Sequence, residues 1–82
     1  MEGNWIDPCA VGEIISCARH KAGLTQETLS GLAGIGRTHL SAIERGLRIP
    51  TLETIFRICY ALNISAEEMI KEIEKTFVIK SI

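Results

Sequence analysis

Aromatic residues are scarce in this chain, neither charge predominates, and no apolar run is long enough to cross a bilayer. Phenylalanine, tyrosine and tryptophan make up 5% of its 82 residues, so the 46% hydrophobic content is mostly aliphatic. Aromatic residues favour strands, and their scarcity beside a mostly aliphatic content suits packed helices. Mean hydropathy is slightly positive, at +0.20. Even so, no charge-free stretch approaches the roughly 18–20 residues of a spanning helix. The opening Met-Glu-Gly-Asn lacks the basic region of a signal peptide. These absences lead us to expect a soluble, cytoplasmic protein with no membrane partner.

The chemistry of enzymes is equally thin. Cys9, Cys17 and Cys59 are odd in number and form no C-x-x-C pair, which argues against a disulfide framework or a zinc site. Cys59 sits among Ile55, Ile58 and Leu62 on an apolar face, where a cysteine acts as a small hydrophobe. Cys9 and Cys17 fall near the start and on the outer side of the first helix, and a redox switch there is the less favoured reading. His20 and His39 have no cysteine or carboxylate at metal-ligand spacing, and there is no phosphate-cradling glycine loop or nucleophile motif. We expect no enzymatic activity, no metal and no cofactor. Repeats, linkers and low-complexity segments are also missing. The length fits a single domain, 1–82, that buries about 60–65% of its unfolded surface.

A formal net charge of −1 is not what a nucleic-acid binder leads one to expect, but the charge is unevenly placed. Residues 1–16 carry Glu2, Asp7 and Glu13 with no cation. Residues 17–50 carry Arg19, Lys21, Arg37, Arg45 and Arg48 against Glu27 and Glu44, a surplus of three. A local field of that kind acts where net charge does not.

That basic region contains the stretch on which the rest depends, Gly23 to Gly46, GLTQETLSGLAGIGRTHLSAIERG. Thr25 is placed to cap a short helix whose Leu29, Leu32 and Ala33 line one face. Glu27 puts negative charge near the positive end of that helix. Gly34 stops it, since a residue just past a helix end often needs positive φ. Gly36 then opens a second short helix with Leu40, Ile43 and Leu47 as candidates for its inner side. Arg37, Thr38, Ser41, Ala42 and Arg45 are left pointing outward. Short polar groups flanked by arginines suit a DNA major groove, so the stretch, about 25–45, reads as a helix-turn-helix.

Around it the chain spells further helices. Asp7 followed by Pro8 is a good start signal for a first helix from about Pro8 to Ala22, with Val11, Ile15, Ala18 and Ala22 inward. Thr51 caps a fourth helix ending at Ala61 or Leu62, with Leu52, Ile55, Ile58, Cys59 and Leu62 on its core side. Asn63 suits a left-handed C-terminal position. Ser65 to Glu68 is a capping box opening a fifth helix with Met69, Ile70 and Ile73 apolar. Residues 76–82, Thr-Phe-Val-Ile-Lys-Ser-Ile, favour an extended extension. Trp5 and Ile6 read as packing against this domain or a partner, in preference to a ligand platform.

The segments GLTQETL, LAGIGRTHLSAIERG, IPTLETIFRICYAL and NISAEEMI resemble the Cro/repressor type (XRE family) of helix-turn-helix domain over roughly residues 9 to 72. The resemblance implies an all-α fold, a five-helix lambda-repressor-like DNA-binding domain with a short C-terminal extension. It implies a sequence-specific transcriptional regulator that binds double-stranded DNA. By family position, Arg19 and Glu44 are expected to form a largely buried ion pair. Gln26 is expected to bond a phosphate and brace the recognition helix, while Arg37 and Thr38 reach base edges. Ser41 or Ala42 is expected to touch a further base, with Ala42 suited to a thymine methyl. Arg45 and Arg48 are expected to hold phosphates, and His39 to lie beside the DNA as a phosphate contact or a plain surface residue. Gly36 departs from the usual serine or threonine cap, and Ser30 and Gly31 replace better helix formers.

One recognition helix spans only a few base pairs, so a homodimer on a two-fold operator is expected. Met69, Ile70, Ile73, Phe77, Val78, Ile79 and Ile82 exceed what so small a core can cover, and they are the expected pairing surface. The competing arrangement folds the tail over its own core. An alternative function is a protein-interaction module, such as an antitoxin that binds a partner protein and regulates its own synthesis. The apolar and acidic surface outside residues 17–50 motivates it.

Overall fold

The computed structural model describes the backbone of residues 6–81 and the side chains of residues 6–77. Five helices follow one another: α1 (Pro8–Lys21), α2 (Gln26–Ala33), α3 (Arg37–Glu44), α4 (Leu52–Leu62) and α5 (Ala66–Ser81). There is no strand among the described residues. Within them, no helix is long and apolar enough to cross a membrane.

Each helix begins where a short side-chain oxygen can accept from an opening backbone N–H. Asp7 accepts from Cys9 N at 3.0 Å, Thr25 from Thr28 N at 3.1 Å, Thr51 from Thr54 N at 3.1 Å and Ser65 from Glu68 N at 3.3 Å. The exception is α3, where Gly36 holds the cap position without a side-chain bond. Gly34 ends α2 at φ 71°, and the chain closes behind it as Ile35 N donates to Ser30 O at 3.0 Å. That left-handed residue reverses the chain tightly enough to bring α3 across α2. Asn63 performs the same role after α4, at φ 58°.

The core takes Val11 and Ile15 from α1, Leu29 and Ala33 from α2, and Leu40 and Ile43 from α3. Ile55, Ile58, Cys59 and Leu62 come from α4, and Met69 and Ile73 from α5. Burial raises the pKa of the Cys59 thiol, which therefore behaves as an apolar group; it packs against Met69 sulfur at 3.6 Å.

Several expected inward residues face out. Ala22 caps α1 as an exposed residue beyond its last turn. Leu32 is 61% exposed, because α2 turns Leu29, Ser30 and Ala33 inward instead. Buried Ser30 is accommodated by donating its hydroxyl to Glu27 O at 3.1 Å. Leu47 directs its N–H back to Ala42 O at 2.9 Å but its side chain outward. Leu52 opens α4 at 61% exposure and lines a surface groove with Phe56 and Ile70.

The extended tail is also corrected, since α5 runs to Ser81 without a break. Met69, Ile73 and Phe77 recur every fourth residue, and helical continuation keeps them on one face. Thr76, a strand former by propensity, donates its hydroxyl to Ile73 O at 2.7 Å and stays helical. The backbone stays helical through Ser81 despite the β preference of these residue types.

Candidate nucleic-acid interface

Helix α3 is held by its inner side, which leaves the outer side free. Leu40 and Ile43 are fully buried. Behind them α1 comes so close that a Cβ on Gly12 would lie 2.6 Å from the Glu44 carbonyl oxygen and strike that of Ile43. Only glycine permits this approach. The opposite side carries Arg37 and Thr38 exposed in the first turn, and His39, Ser41 and Ala42 half-buried. Arg45 caps the end and Arg48 follows in the loop, both exposed. One face of one short helix thus gathers two short hydroxyls and a methyl between guanidinium groups.

The far end of α3 is anchored by charge. Arg19 of α1 forks onto Glu44, Nε donating to Oε2 at 2.7 Å and Nη2 to Oε1 at 2.9 Å. The remaining Arg19 nitrogen, Nη1, donates to Leu24 O at 2.9 Å. Gln26, first residue of α2, donates its amide to Glu44 Oε1 at 3.0 Å. The pair is deeply placed, with side-chain exposures of 10% for Arg19 and 5% for Glu44. Burial pushes the Glu44 carboxyl up, yet the hydrogen bonds from Arg19 and Gln26 and the Arg19 charge outweigh it, holding the group below its ordinary range. For Arg19 the hydrogen bond to Glu44 outweighs burial and raises an already high value. A carboxylate at a helix C-terminus sits against the dipole, so Glu44 depends on these donors. Through it α1, α2 and α3 meet at one point.

The structure therefore brings Arg19, Gln26 and Glu44 into one network and leaves Arg37, Thr38, Arg45 and Arg48 exposed. The engagement of the Gln26 amide nitrogen with Glu44 was not legible from spacing alone. Arg57 of α4 also went unread. It pairs with Glu53 at 3.0 Å and reaches Ala33 O at 3.5 Å, beside the turn that separates α2 from α3.

The expected pairing residues separate. Met69 and Ile73 are 3% and 8% exposed and belong to this chain's own core, so they have little surface left to give a partner. Ile70 is exposed and Phe77 half-buried. The side chains of Val78 and Ile79, with Trp5 and Ile82, lie outside the described residues. What stands exposed beside Ile70 is Leu52 and Phe56 of α4, flanking a groove of about 460 Å3 with Glu67, Lys71 and Glu74 at its edges.

A family model described as helix-turn-helix matches residues 18–69. An uncharacterized HTH-type transcriptional regulator of Sinorhizobium fredii is 35% identical over 66 residues, covering 80% of this chain and 86% of that protein. Among solved structures, the restriction-modification controller protein C.AhdI from Aeromonas hydrophila superposes with a TM-score of 0.74 at 35% identity, covering 77% of this chain and 96% of its own. The controller C.Esp1396I, solved as a tetramer in complex with its natural 35 base-pair operator, superposes with a TM-score of 0.75 at 28% identity, covering 87% and 93%.

Proposed function

The chain belongs to the helix-turn-helix family of transcriptional regulators, and from that premise we propose that it regulates transcription as a homodimer on double-stranded DNA. Each copy docks α3 in the major groove of one half of a two-fold operator. The observation that carries this reading is the exposed face of α3, whose inner side is committed to the core and to Glu44. Arg37 forks onto guanine O6 and N7, and Thr38 offers a hydroxyl and a methyl to the neighbouring base. Ser41 or Ala42 meets a further base one turn on. Arg45 and Arg48 hold phosphates and set register, as do Gln26 and His39 at the margins. Regulation by binding requires no catalytic group, and the work is done in the cytoplasm, where the DNA lies.

The homodimer is formed by the α4–α5 face. Leu52, Phe56 and Ile70 leave an apolar strip there that a single copy does not cover. The strip carries both charge signs at its edge, Lys71 against Glu67 and Glu74, so two copies can meet on it without a field of one sign opposing itself. None of the α3 cations lines it.

Two substitutions test the division of labour. Arg37→Ala is expected to cost about 1–3 kcal/mol on the cognate site and to relax base preference at one position. Arg45→Ala is expected to weaken all sequences alike and lower the salt slope by about one phosphate. Unchanged preference in Arg37→Ala, or altered preference in Arg45→Ala, overturns the assignment.

A further inference from the structure

We propose that the cleft between α1 and α5 is a docking site for a basic amphipathic helix of another protein. The cleft holds about 870 Å3 and runs from Ala10 to Ala22 along α1 and its C-cap, and from Ser65 to Thr76 along α5 and the residue before it. At 1.5 Å per residue these walls are roughly 17–18 Å long. The trough therefore suits about three turns of helix, a longer object than a compact small molecule. Ile14, Ala18, Leu62 and Met69 contribute to an apolar floor. Among the described residues its charged lining is Glu13, Glu68 and Glu72 against the single cation Lys21. Glu72 also pairs with Lys75 at 3.2 Å, but an exposed pair of this kind is weak and leaves the lining acidic.

That charge selects the occupant. A second copy meeting this face by two-fold symmetry would set three glutamates against three glutamates. The chain's own residues 1–5 bring Glu2 and no side-chain cation. Nucleic acid is repelled outright. A helix with an apolar stripe and flanking lysines or arginines satisfies both floor and rim, in the manner of helix-in-groove recognition. The cleft opens on the α5 side of α1, whereas Gly12 faces α3, so such a partner can sit there while Arg37 and Thr38 remain uncovered.

The full chain carries its own probe. Cys17 lines the cleft, while Cys9 is exposed outside it. We would alkylate the thiols and follow each cysteine by peptide mass spectrometry, with and without a synthetic helical peptide bearing a leucine stripe and lysine flanks. At a free peptide concentration ten times its dissociation constant, Cys17 alkylation is expected to slow about tenfold, with Cys9 unchanged. A matched peptide with glutamate flanks is expected not to protect. Glu13→Lys/Glu72→Lys alters two exposed side chains away from the helix caps; it is expected to weaken the lysine peptide about tenfold and reverse its salt dependence with little change in the melting point. Equal protection of both cysteines, or binding indifferent to the charge reversal, overturns the proposal. Cys17 alkylation in the free chain that accelerates on dilution, or on deletion of residues 1–5, assigns the cleft to a second copy or to the chain's own start and equally overturns it.

Discussion

Replacing Gly12 with alanine separates two effects that ordinarily go together. Alanine favours a helix interior over glycine by about 1 kcal/mol, so from sequence alone the change should stabilise α1. In the structure the new Cβ would strike the Ile43 carbonyl oxygen and stand 2.6 Å from that of Glu44, so α1 and α3 must part by about 1 Å to restore the 3.4 Å of ordinary contact. The atoms struck are backbone and cannot rotate aside. Overpacking of this kind costs about 1–3 kcal/mol, and its upper end applies here, because the shift also pulls on the Arg19–Glu44 fork. The net loss is about 2 kcal/mol, a fall of about 8–16 °C in melting temperature for a domain of this size. Gly31 provides the control: it is exposed in α2, and a Cβ there meets nothing within 4 Å. Gly31→Ala should therefore raise the melting temperature by about 2–8 °C. Calorimetry of the two variants beside the parent is decisive. If Gly12→Ala stabilises as Gly31→Ala does, the close approach of α1 to α3 is not the feature that sets the position of the recognition helix.

Three further outcomes follow from the same geometry. Glu44→Ala or Arg19→Ala strands a desolvated charge and should cost about 3–5 kcal/mol in urea unfolding, whereas the double change Arg19→Met/Glu44→Leu should recover most of it; single variants as stable as the parent would contradict the buried pair. Because the folded Glu44 carboxyl lies below its ordinary range, its contribution is complete above the unfolded carboxyl value, about 4.3, and is lost as pH falls through the lower folded value. Parent stability should drop in that acid window while Arg19→Met/Glu44→Leu shows a shallower fall, and parallel curves would exclude the linkage. Phe56→Glu/Ile70→Glu changes two exposed side chains and should sediment as a folded monomer at micromolar concentration with weakened operator affinity; a persistent dimer would place the pairing surface elsewhere.

Local signals in the sequence reached the structure intact. Asp7, Thr25, Thr51 and Ser65 accept from N–H groups two or three residues away, so the start of four helices is encoded within a single turn. Gly34 and Asn63 end theirs by their own backbone freedom. What escaped was decided by partners distant in sequence. No residue near Gly12 in the chain signals that Ile43 and Glu44 press against it, and Arg57 reaches Ala33 across 24 residues. Leu32 and Leu52 satisfied helical spacing, but spacing defines a stripe without saying where the neighbouring helix ends. Threonine, phenylalanine, valine and isoleucine dominate the last seven residues and favour strands, yet residues 76–81 continue α5. Position on the exposed side of α3 was readable for Arg37, Thr38 and Arg45, because Leu40 and Ile43 fix which side is inward.

The central claim is that two copies of α3 read a two-fold DNA site, and selection of bound fragments from random double-stranded DNA by the full chain tests it most directly. The enriched sequences should contain an inverted repeat whose half-sites are centred about 34 Å, one helical turn, apart, with a guanine in each half that Arg37→Ala ceases to select. Enrichment of a single unrepeated motif, or of no motif at all, would contradict the account.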